Sequence, residues 1–179
     1  VKQGKWTGNN TSPQSITGVG FLPKAMIVHH TDEPADGLFK QDGNLGFGFG
    51  TRRGGITQSG CMTHFMPEQS ATSGSRRFFR INRIANAIEF SELYNVNLDS
   101  LDTDGFTVAY SSAAAANGKD FHYFAIGGST IEDANVVSAS INTTGATQSI
   151  TGVGCLTSQS LYSSSVISWY GACLYEPPS

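Results

Sequence analysis

Arg76-Arg77-Phe78-Phe79-Arg80-Ile81-Asn82-Arg83 is the densest concentration of charge in the 179-residue chain. On an extended strand Arg76 and Arg80 share a face with Phe78, while Arg77 and Arg83 share the other with Phe79 and Ile81. Guanidinium groups present forked donors that match carboxylates. The stretch therefore reads as a contact for an acidic partner surface, or as a solvated strand paired locally with Glu89, Glu92 or Asp102. Nucleic acid is not an expected partner, because the formal net charge is -3 and nothing else on the chain is basic.

Other residue types that could do chemistry lack the spacing to do it. His29 and His30 are adjacent, so on a strand they point to opposite faces, and His64 and His122 lie far apart in sequence. Asp102-x-Asp104-Gly105 resembles the start of a calcium loop. In that register Ser100 takes position one and Ser111 position twelve, so the bidentate Glu is missing and a turn is the better reading. The chain has no HExxH, no GxSxG and no GxxxxGK phosphate loop. Gly46-x-Gly48-x-Gly50 misses the dinucleotide fingerprint. The spacing of Glu89 and Glu92 does not fix a carboxylate separation. Cys61, Cys155 and Cys173 form no CxxC pair, and an odd count fits small buried hydrophobes better than a disulfide framework. No catalytic residue, cofactor or metal is expected.

The elements that must carry these residues are short strands. Gly is abundant at 21 residues and only 14% of residues are charged, a mixture suited to tight turns. Ala25–His30 reads as a core strand, Gly46–Gly50 and Phe106–Tyr110 alternate, and Asp102-Thr103-Asp104-Gly105 is a turn. Ser75–Phe90 reads as two strands, Arg76–Asn82 and Ala87–Phe90, or as a strand and one helical turn. Asn117-Gly118 signals a hairpin into Phe121–Ile126. Ala134–Ile141, Gln148–Val153 and Ser165–Tyr175 follow. The expected fold is an all-β antiparallel sandwich, jelly-roll-like, with almost no helix. No apolar run approaches the ~20 residues that span a bilayer, and the first residues lack the apolar core of a secretory signal. No membrane partner is expected.

Gln14-Ser15-Ile16-Thr17-Gly18-Val19-Gly20 returns unchanged at residues 148–154. Each copy reads as a short strand ending in a sharp turn, with Gly18, Gly20, Gly152 and Gly154 as the turn glycines. Two copies do not make a solenoid, and too little chain follows the second to rebuild a domain. One domain spanning 1–179 is expected, with the strands of 142–179 joining the sheets of the first part.

The succession Trp6-Thr7-Gly8-Asn9, Ile16-Thr17-Gly18-Val19-Gly20-Phe21-x-Pro23 and Met26-Ile27-Val28 resembles a module of tailed-phage virion proteins. That module opens "YTGNG…IxGVGFxPDxVxI". Leu98-Asp99-Ser100-Leu101-Asp102-Thr103-Asp104-Gly105-Phe106-Thr107-Val108 is similar to its "FDxDGFTL" element. Asn117-Gly118 with His122-Tyr123-Phe124-Ala125 resembles its closing "NxxGxxYxA" strand. These matches cover residues 6–128, with a partial restart at 142–156. Lys24 stands where the family usually has Asp, and 31–97 matches no element.

The resemblance implies a β-rich structural piece of a virus particle, assembled in the bacterial host cytoplasm, and implies no catalytic residue. A capsid decoration protein docked on the major capsid protein is the expected role; a tail or fibre module is the neighbouring one. The other class is a lectin-like module, with Trp6, Trp169 and Tyr170 stacking on host glycans. Trp169, Tyr170 and Tyr175 lie near the end of the unfinished second repeat. They are expected to bury against other subunits, a homotrimer being the expected state.

Overall fold

The computed structural model describes residues 1–31, 42–53, 56–67, 76–88, 91–129, 131, 133–140 and 168–175. These residues form β1 (Lys2–Thr7), β2 (Gln14–Thr17), β3 (Pro23–Thr31), β4 (Asp42–Arg53), β5 (Ile56–Pro67) and β6 (Arg76–Ile81). They continue as β7 (Ala85–Ile88), β8 (Glu92–Asp102), β9 (Gly105–Tyr110), α1 (Ala113–Ala116), β10 (Asp120–Gly127), β11 (Asp133–Ser140) and β12 (Ser168–Tyr175). A six-stranded sheet in the order β1-β10-β3-β4-β5-β6 packs against a four-stranded sheet in the order β2-β9-β8-β7. Every pairing is antiparallel. The fold is an all-β sandwich, as the alternating segments predict.

Pairing of β1 with β10 in one sheet and of β2 with β9 in the other nests the chain's start against its later strands, as in a rolled-up hairpin. The rest is two meanders, β3-β4-β5-β6 and β7-β8-β9. The core lies between the sheets. Trp6 stacks on Phe121 with ring centroids 4.7 Å apart and meets Phe106 edge-on at 5.4 Å. Met26, Val28, Ile84, Val96 and Val108 fill the space around them. Trp6 is 5% exposed and its Nε1 donates to the Tyr110 hydroxyl at 3.0 Å. It is therefore a core residue and not a sugar platform.

Gly46-Phe47-Gly48-Phe49-Gly50 alternates as expected, and packing decides which way it faces. A Cβ at Gly48 would collide with the backbone carbonyl of Ile84, and one at Gly46 with the His30 ring. The bare side must face the core, so Phe47 and Phe49 point outward.

Three expectations are corrected. Asn117-Gly118 does not close a hairpin, because β9 and β10 belong to different sheets. Ser112 instead caps a four-residue helix of alanines by accepting from the Ala115 N–H at 3.4 Å, and Gly118, at φ +75°, ends the turn. Alanine is the best helix former, and Ser is a favoured cap. The strand after Arg83 starts at Ala85 and not at Ala87, and Ala85–Ile88 is its described part. Finally, β12 does not join either large sheet: it pairs along its length with β11. β11 runs beside β4, whose hydrogen-bonding edges are taken by β3 and β5. The second heptapeptide, with Gly152 and Gly154, lies outside the described residues, as do Cys155 and the side chains of Trp169, Tyr170 and Tyr175.

Candidate functional site

The Gly-Val-Gly turn and the Asp-x-Asp-Gly turn, far apart in sequence, form one structure. β2 lies on β9 with Thr17 opposite Gly105. Gly18 and Gly20 take φ +83° and +87°, a conformation that suits glycine. The Gly18 and Gly20 N–H groups donate to the two carboxylate oxygens of Asp104 at 3.1 and 2.6 Å. Val19 N–H donates to the Asp104 carbonyl at 3.1 Å. Successive backbone donors of this kind make an anion-binding concavity. Here the anion is the chain's own Asp104, so the motif is a latch between β2 and the β8–β9 hairpin.

The arginine segment forms the edge of the six-stranded sheet. Register puts Arg77 opposite His64, Phe79 opposite Met62 and Ile81 opposite Gly60, with Phe78 and Arg80 on the alternate side. The Arg80 guanidinium lies over the Phe78 ring, 5.4 Å from its centroid. Its Nη2 is 3.1 Å from Glu92 Oε2 on β8, which is the local pairing anticipated for this strand. Asn95 Nδ2 donates to the other Glu92 oxygen at 2.5 Å.

Arg83 departs from strand parity. Asn82 adopts φ +61° and its N–H donates to the Ser59 carbonyl, ending β6. The chain then swings Arg83 to the Arg80 side and away from that of Arg77. Phe79, Arg80, Ile81, Arg83, Glu92 and Asn95 line an open cleft of about 500 Å³. Two guanidiniums against one carboxylate leave a positive cleft with apolar walls, able to hold an acidic side chain. Arg77 is exposed on the opposite face, and the Arg76 side chain is outside the described residues.

Beside the cleft, the outer face of the six-stranded sheet carries an aligned apolar field. One row across the strands reads Lys5, His122, His29, Phe47, Met62, Phe79. The next reads Gln3, Phe124, Ile27, Phe49, Gly60, Ile81. Phe47, Met62, Phe79, Phe124 and Ile81 are 44, 53, 38, 47 and 60% exposed. Sequence reading missed this face, since alternation alone does not say which side is buried. The glycines of β4 held the signal.

Cys61 lies beneath the cleft, buried, with its thiol 3.4 Å from Asn86 Oδ1. Burial pushes its pKa up to about 12, against the smaller opposing pull of Arg83 and Arg80. A thiol so held is not a nucleophile near neutral pH. Among the described residues no three His, Cys, Asp or Glu side chains gather into a metal cage, and no helix is long and apolar enough to cross a membrane. Comparison with protein-family models, with curated proteins and with solved structures finds no match.

Proposed function

We propose that this chain is a non-enzymatic structural component of a tailed-phage virion: a capsid decoration protein that docks on the major capsid protein as a homo-oligomer. The observation that carries this reading is the outer sheet face. A contiguous exposed apolar field, bordered by charge, is the signature of an interaction surface. The arginine edge adds steering and register toward an acidic shell, a contribution that salt weakens. The latch around Asp104 supports the same reading. It engages two of the motifs that resemble the phage module with each other, so they serve the scaffold.

The test is cosedimentation of the purified protein with phage shells, followed by copy counting. Saturable binding at high copy number is expected, weakened at physiological salt when Arg77, Arg80 and Arg83 are changed to Ser. A low copy number matching the symmetry of the tail would place the protein there instead. Binding to host glycans with no uptake by any particle would overturn the structural role in favour of a lectin.

A further inference from the structure

His29 and His122 sit directly opposite each other on β3 and β10, on the outer face of the six-stranded sheet. Directly opposed antiparallel residues have Cβ atoms about 4.5–5.5 Å apart, so both rings leave the sheet side by side. Their centroids are 6.4 Å apart with planes at 43°. Two imidazoles sharing one tetrahedral zinc, each nitrogen about 2.1 Å from the metal, have centroids roughly 5–6 Å apart. A modest side-chain rotation closes that gap. His122 is exposed and His29 half-buried, and Phe47 lies 4.9 Å from the His29 ring and backs it.

We infer that the cross-strand pair His29–His122 is a seat for a late first-row divalent cation, zinc, nickel or copper. Neutral imidazole suits these ions. Calcium and magnesium are poor fits, since they take oxygen ligands. Asp120 precedes His122 by two residues on the same face of β10. Its carboxylate is held by Lys5 Nζ at 2.8 Å and Thr7 Oγ1 at 2.6 Å, so its charge is paired with the Lys5 ammonium and it is not a third ligand. Two protein donors leave the remaining coordination positions open outward, where a docked surface can fill them. The inference stands on this pair alone and does not require the virion role.

The experiment is calorimetric titration of the tag-free full chain with zinc and with nickel. One saturable site per chain, or one shared by two chains, is expected with micromolar Kd. His29→Ala and His122→Ala should each weaken it at least about tenfold. His64→Ala, at another register position of the same face, should leave it unchanged. Nickel should also broaden the His29 and His122 ring resonances of the unmodified protein in NMR, a readout that needs no variant to fold. Absence of saturable uptake, or an affinity in both His→Ala variants unchanged from that of the unmodified chain, would overturn the assignment.

Discussion

Gly20 and Gly48 are glycines for opposite physical reasons. Gly20 has open space around it and a φ of +87°, so a side chain there meets backbone strain alone. Gly48 has an ordinary φ, but the Ile84 carbonyl occupies the place of a Cβ. Gly20→Ala should therefore destabilise by about 1–2 kcal/mol. Gly48→Ala should destabilise by about 3 kcal/mol or more, because backbone must move. Urea midpoints of the two variants measure the difference, and equal losses would contradict it. Cys61 gives a second residue-scale expectation. Its thiol ionises near 9 when unfolded and at about 12 when folded. The folded state thus holds the proton longer, and stability declines as pH rises from about 9 toward 12. Burial raises Tyr110 and Tyr123 in the same direction. Peptide-level mass spectrometry after iodoacetamide at pH 8 should find Cys61 unmodified in the native protein and alkylated in urea.

Strands β1, β2 and β9 are tied by a short chain of polar side chains. Trp6 Nε1 donates to the Tyr110 hydroxyl, which donates to Gln14 Oε1 at 2.6 Å, while Gln14 Nε2 donates to the Thr7 carbonyl at 3.0 Å. Trp6→Ala removes the stacked indole and the head of that chain, and should lose about 3–5 kcal/mol in thermal or urea melts. Lys5, the residue before it, pairs with Asp120 at 2.8 Å but is half exposed, so Lys5→Ala should lose less than about 1 kcal/mol. The strands themselves were legible, because alternation and glycine turns are local signals: Phe106–Tyr110 and the Asp102–Gly105 turn stand where the pattern puts them. Partnerships between distant strands were not. Nothing near His29 in sequence announces His122, and the two turn motifs give no hint that Asp104 fills the Gly18–Gly20 concavity. The side of Arg83 turned on one residue, Asn82, whose positive φ no periodicity predicts. The alanine run after Ser112 carries a helix signal that the reading of Asn117-Gly118 as a hairpin left out of account.

For the whole molecule, the sandwich separates a well-filled interior from an outer sheet face on which Phe47, Met62, Phe79, Ile81 and Phe124 are exposed while Ala25 and Thr51 are buried. Its outermost strands are managed differently. β1 carries Lys2 and Lys5, and β6 carries arginines, charges that discourage edge-to-edge strand pairing. In the proposed role, association is thereby directed to the face of the sheet. Light scattering across a concentration series should show self-association that Phe47→Glu abolishes, with little change in melting temperature because Phe47 lies outside the core. Association unchanged in that variant would mean that the subunits meet elsewhere.

The glycine stripe of β4 also has a genetic consequence. At Gly50 a Cβ would meet the Leu98 Cδ2, 2.5 Å away, and that obstruction is a side chain. A smaller residue at position 98 should therefore suppress the defect of Gly50→Ala. At Gly48 the obstruction is a main-chain oxygen, identical whatever residue stands at 84. A suppressor screen should return changes at Leu98 for the first variant and none at Ile84 for the second, since no codon at 84 removes a carbonyl.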